Sequence, residues 1–153
     1  MVHEISISVI RKEAEELYRN GDFYCSEAIV YTIRHQIDPK MPVEVISMAS
    51  GFPVGVGGSL CMCGAVSGGI MCLGYFFGRT QPKDDKVNKA MALSKELHGV
   101  FTGNHKVACC KILTKGMEMG SPVHMEQCIS FTGEVAVKTA EIIGRELELV
   151  MIS

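Results

Sequence analysis

The chain has 153 residues, of which 47% are apolar, and a formal net charge of −2. That length suits one compact domain able to bury a core without crosslinks, and that apolar content excludes a disordered chain. No cluster of Lys or Arg is present, which excludes nucleic acid as a main partner, because phosphate binding needs concentrated positive charge.

The opening stretch, residues 1–16, has no apolar run of the signal-peptide kind and becomes highly charged within a few residues. Neither a leader nor a membrane anchor is expected from it, and a cytoplasmic setting with reduced thiols follows. From about Ile5 to Asn20 the spacing predicts an amphipathic helix with Ile7, Ile10, Ala14 and Leu17 on one face, ended by Gly21. Asp22 is placed to cap a second helix running to about Ile37, with Cys25, Ala28, Ile29 and Ile33 inward. Asp38-Pro39 and Pro42 break the chain before a short helix ending near Ser50.

Residues 45–78 contain no charged side chain. A membrane span would need ~20 unbroken apolar residues, but Pro53 and the glycines at 55, 57 and 58 interrupt this stretch, so no span is expected. Its helical part, about Cys63 to Gly78, is rich in Gly and Ala. It reads as the central helix of a bundle, apolar all round because neighbours surround it. Beyond Pro82 and the charged run 83–89, a helix continues to about Val100 with Val87, Ala90, Met91, Ser94 and Leu97 as its face. Another is expected over Lys106–Lys115, stopped by Gly116. The turn Gly120-Ser121-Pro122 precedes a short helix through Cys128, and a last helix covers Glu134–Val150 with Val137, Ala140, Ile143 and Leu147 inward. Alternation of period two is nowhere sustained. The expected fold is all-α: one domain over residues 1–153, a compact bundle of about six to seven helices around the Gly/Ala-rich one.

Seven cysteines in a chain that does not need disulfides suggest metal or redox chemistry. There is no C-x-x-C, which leaves a thioredoxin-like site unsupported, and no C-x-x-C-H for covalent haem. Paired zinc knuckles are also missing. A site would have to be assembled from cysteines far apart in sequence. Cys63 stands at the start of the central helix, where the dipole and free N–H groups favour a thiolate. Cys72, nine positions on, falls on the opposite face of a regular helix at ~100° per residue. Cys109 and Cys110 diverge by the same ~100°, so one of them is expected to point inward. Gly64 and Gly68, four apart, fit close helix packing or a cofactor.

These residues resemble the C_GCAxxG_C_C family of redox-active proteins. The matching positions are Tyr24-Cys25-Ser26-Glu27-Ala28, then Cys63-Gly64-Ala65-Val66-Ser67-Gly68, then Cys110-Lys111-Ile112-Leu113, then Cys128. The resemblance implies that Cys25, Cys63, Cys110 and Cys128 form the site, with Gly64 and Gly68 beside the cofactor. The family is similar to the cluster-carrying part of split-Soret cytochromes, which implies an iron–sulfur cluster here and electron transfer with an unidentified redox partner. A metal-free thiol–disulfide protein and a zinc-holding structural domain are the alternatives. Among the histidines, His105 and His124 lie near Cys110 and Cys128 in sequence and could complete a site. The uncharged centre, with apolar segments such as Leu73-Gly74-Tyr75-Phe76-Phe77, points to a homodimer, because large apolar patches mark interfaces.

Overall fold

The structure is a computed structural model describing all of residues 1–153. In chain order it contains β1 (Glu4–Ser6), α1 (Ile7–Arg19), α2 (Cys25–Gln36), α3 (Glu44–Met48), α4 (Pro53–Val56), α5 (Gly64–Phe77), α6 (Lys86–His105), α7 (Cys110–Leu113), α8 (Pro122–Glu146) and β2 (Val150–Ile152). The all-helical expectation holds, apart from the small pair β1–β2. These strands run parallel, Ile5 opposite Met151, and tie the two chain ends together. Three-residue strands carry too little period-two signal to be read from sequence.

Helix α5 is the centre. Gly64–Gly69, Cys72, Leu73 and Phe77 are all buried, enclosed by α2, α6 and α8. Helix α1 lies along α8 and also meets α2. One apolar cluster of 26 buried residues, including Ile29, Ile33, Val66, Leu97, Ala136 and Ile143, joins these elements. At about 25 cal/mol per Å² of apolar surface, such burial is the main stabilising term. On the surface, Arg145 grips both carboxylate oxygens of Glu96 at 2.9 Å, linking α8 to α6.

Several expected boundaries move. Tyr18, rather than Leu17, completes the buried face of α1 with Ile10 and Ala14. Tyr24, not Asp22, precedes the first turn of α2. Helix α6 runs to His105 and buries Leu93, Leu97 and Phe101, while Met91 is exposed. The helix expected over Lys106–Lys115 shrinks to Cys110–Leu113. The segment before it is extended instead, because the Ala108 carbonyl accepts the Cys63 amide hydrogen at 2.7 Å. The two final helices are one, and α8 passes straight through Gly133. A Cβ there would meet the Glu15 side chain of α1, so this glycine makes room for Glu15 rather than breaking α8. The segment Leu73–Phe77 is largely covered within the chain: Leu73 and Phe77 are buried, Phe76 is half-buried, and the exposed Tyr75 bonds Asp38. No helix is long and apolar enough to cross a membrane.

Candidate functional site

Four separate segments deliver Cys25, Cys63, Cys110 and Cys128 to one small cavity. Cys25 is the first residue of α2, Cys63 the N-cap of α5, Cys110 the first residue of α7, and Cys128 lies in the second turn of α8. Local backbone pairing explains the meeting of the middle two. The Cys63 amide donates to Ala108, and the Lys111 amide donates to the Leu60 carbonyl at 3.0 Å, which lays residues 60–63 beside 108–111. The Gln127 amide group donates to the Leu113 carbonyl at 2.8 Å and fastens α7 to α8. The Ser26 hydroxyl donates to the Ala49 carbonyl at 2.8 Å and anchors the start of α2.

The cavity is about 30 Å³, and its wall includes all four sulfurs together with Tyr18, His124, Gly64 and Phe131. Burial pushes the Cys25 thiol up, and the neighbouring Cys63 and Cys128 push it further. Cys63 is pushed up to about 11 by burial, against the opposing pull of the nearby Val66 and Ala65 N–H groups. Burial and Cys109 raise Cys110. Burial raises Cys128, the nearby Tyr18 hydroxyl opposes that rise, and Cys110 adds to it. Charge on any one of the four is thus felt by the other three. Cys72 differs: it is fully buried and raised by burial alone, with no cysteine beside it.

His124 and Tyr18 shape the α8 side. The Gly120 amide donates to His124 Nδ1 at 3.0 Å, so the neutral ring carries its proton on Nε2. That nitrogen stands 3.4 Å from the Cys128 sulfur and donates to it. His105, by contrast, pairs with Glu134 at 2.9 Å through Nε2 and takes no part. His124 was one of two candidates from sequence. Tyr18 was missed, although its place eight residues after Ile10 on the apolar stripe of α1 was the available signal.

Glycine makes the convergence possible. A Cβ on Gly64 would fall 2.6 Å from the Cys25 sulfur. One on Gly68 would fall 2.7 Å from the Ser26 carbonyl oxygen. Gly64 therefore makes room for a site atom, whereas Gly68 lets α5 approach the backbone of α2 and does not line the cavity. The stretch from α4 to α5 is strained: Val54 and Val56, in the irregular turn α4, and Leu60 and Met62 after it all adopt positive φ, each costing roughly 1 kcal/mol or more. Cys61 and Cys109 face elsewhere, onto an open pocket with His98 and Lys106, and the Cys109 thiol donates to Leu60 O at 3.8 Å.

A family model described as "Putative redox-active protein (C_GCAxxG_C_C)" matches residues 23–142. The chain belongs to this family. No curated protein and no solved structure matches it. The C_GCAxxG_C_C match takes in all four cavity cysteines and the Gly64–Gly68 motif, and leaves Tyr18 outside its bounds.

Proposed function

We propose that Cys25, Cys63, Cys110 and Cys128 hold an iron–sulfur cluster and that the protein transfers electrons through it. One observation carries this reading: four thiols from four segments line a single buried cavity and repel one another as anions. Buried anions without a compensating cation are costly, and no Lys or Arg lines the cavity. Iron bound there would supply that positive charge and deprotonate the thiols.

The donor set fits such a group, since thiolates are the usual ligands of iron–sulfur clusters. No three His, Cys, Asp or Glu side chains stand closely enough to hold a metal ion as they are. When bound, the cluster supplies a reversible one-electron couple. The chain's own residues do the rest. The four cysteines ligate, and the Ala65 and Val66 N–H groups and the Tyr18 and His124 hydrogens stabilise charge on sulfur. Phe131 and the apolar wall exclude water. Proximity of the thiols also favours a metal-free dithiol couple, but raised thiols ionise poorly and make weak nucleophiles.

Anaerobic reconstitution with ferrous iron and sulfide tests the proposal. Visible charge-transfer absorption with bound iron and sulfide is expected, and a Cys63→Ser protein should lack both. A colourless, iron-free product overturns it, and a reversible dithiol couple in that product would favour the thiol–disulfide reading.

A further inference from the structure

A second, much larger cleft opens beside the cysteine cavity. Its volume is about 740 Å³, within the ~300–1,000 Å³ typical of small-molecule sites. Tyr18, Tyr24, Val54 and His124 line both spaces. Of these four, His124 is hydrogen-bonded to the Cys128 sulfur and the Tyr18 hydroxyl lies near enough to favour charge on it. One shared wall thus separates anything in the cleft from the cysteines.

The chemistry of the walls restricts the occupant. No Lys or Arg lines the cleft, so nucleotide phosphates and other anions find no charged partner there. Its one charged group, Glu27, is already engaged: Oε1 accepts the Tyr24 amide hydrogen at 3.1 Å and Oε2 accepts from the Ser50 hydroxyl at 2.7 Å. Both His124 nitrogens are taken as well. Phe23, Leu60 and Met125 complete an apolar, partly aromatic lining, which suits stacking on a flat ring. Tyr24, 57% exposed at the mouth, offers a hydroxyl to an acceptor on the ligand's edge.

The geometry points to a binding site for a neutral, planar aromatic carbonyl compound of the quinone class in the cleft lined by Tyr18, Tyr24, Val54 and His124. The choice of an electron-carrying ligand rests on the redox reading of the cysteines; the exclusion of charged ligands rests on the cleft alone.

The test is calorimetric titration of the full chain with 2,3-dimethyl-1,4-naphthoquinone, whose blocked ring positions prevent addition of thiols, and in parallel with flavin mononucleotide. Saturable one-to-one binding of the naphthoquinone is expected, with the flavin nucleotide at least tenfold weaker. Met125→Trp, which fills the cleft, and Tyr24→Ala, which removes an exposed lip residue, should each weaken the naphthoquinone by about tenfold, or ~1.4 kcal/mol. Far-UV circular dichroism checks that both variants remain folded. Cys63→Ser, whose side chain does not line the cleft, should bind as the parent does even when it holds no iron. The cluster can therefore fail while the cleft stands. Absence of saturable naphthoquinone binding, equal binding by both folded cleft variants, or equal affinity for the flavin nucleotide overturns the inference.

Discussion

Replacing glycines along α5 one at a time separates packing from site chemistry. At Gly74 an added Cβ meets nothing within 4 Å, so Gly74→Ala should stabilise the protein by roughly 0.4–1 kcal/mol through helix propensity and loss of unfolded-chain freedom. At Gly68 the same methyl meets the Ser26 carbonyl oxygen at 2.7 Å and the Ser26 Cα at 2.8 Å. These are backbone atoms, held in place by the Ser26 hydroxyl on Ala49 and unable to swing aside. Overpacking of this kind costs about 1–3 kcal/mol, and the propensity gain offsets part of it. Gly68→Ala should therefore fall below Gly74→Ala by roughly 2 kcal/mol. Gly64→Ala is the informative third case. Its methyl meets the Cys25 sulfur at 2.6 Å, which can rotate away at the expense of the site, and the Phe52 carbonyl oxygen at 3.1 Å, which must give by a few tenths of an ångström, so the stability of this variant should fall between those of the other two. Urea denaturation with unchanged m-values gives the three stabilities, and iron content after reconstitution gives the site. Equal stability of Gly68→Ala and Gly74→Ala, or a Gly64→Ala protein that loads iron like the parent, would refute this account of the helix.

Further predictions concern single sulfurs and their partners. Cys72→Ala should leave iron loading unchanged and cost about 1 kcal/mol of packing, whereas Cys63→Ser should abolish loading with the helical circular dichroism intact. Cys110→Ser should be as damaging to loading as Cys63→Ser while Cys109→Ser is tolerated; equal damage by Cys109→Ser would mean that the wrong neighbour has been assigned to the cavity. Removing the Nε2–H donor with His124→Phe should make the reduction potential of the loaded protein more negative, because hydrogen bonds to sulfur stabilise the reduced, more negative state; an unchanged potential by spectroelectrochemistry would exclude that role. In the metal-free protein, Cys63 ionises at about 11 when folded, against an ordinary value of 9.0. The unfolded chain therefore loses this proton first: the stability present below pH 9 declines as pH rises through about 11, by roughly 3 kcal/mol for this thiol. Urea titrations of parent and Cys63→Ser proteins across that range should diverge.

The central helix was legible because its signals are local. An uncharged run, a glycine loop before it and Arg79 after it place α5 within a residue of its observed ends. The separation of Cys63 from Cys72 followed from helical spacing, whereas the choice of Cys110 over Cys109 was implied by the family resemblance, since Cys109 lies in extended backbone ahead of α7. Features set by distant contacts were not legible. Gly133 looks like a breaker in sequence and is a contact with Glu15 in space. The segment Lys106–Cys109 has helical composition, yet it is drawn out by its pairing with residues 60–63. Tyr18 was hidden for a similar reason, because its hydroxyl acquires meaning only when α8 brings Cys128 beside it.

The arrangement of helix starts explains why cysteines scattered over a hundred residues can act as one site. Cys25 opens α2 and Cys63 caps α5, and helix N-termini present unpaired N–H groups and partial positive charge. For Cys63 this is felt as the pull of the nearby Ala65 and Val66 N–H groups, which favour charge on its sulfur. Cys128 lies inside a helix, where backbone N–H groups are already spent on the helix itself. Its sulfur instead has the His124 Nε2–H as donor, with the Tyr18 hydroxyl nearby. Side chains thus supply at Cys128 what a helix start supplies at Cys63. All these donors are neutral: they lessen the cost of a buried thiolate but cannot balance four of them. A cationic group bridging the sulfurs would resolve that imbalance, whereas two disulfides would remove it by leaving no thiolate at all. Both outcomes remove the thiol protons, and they differ in electrons: two disulfides require an oxidant to take four electrons, whereas metal binding displaces the protons into solvent without one.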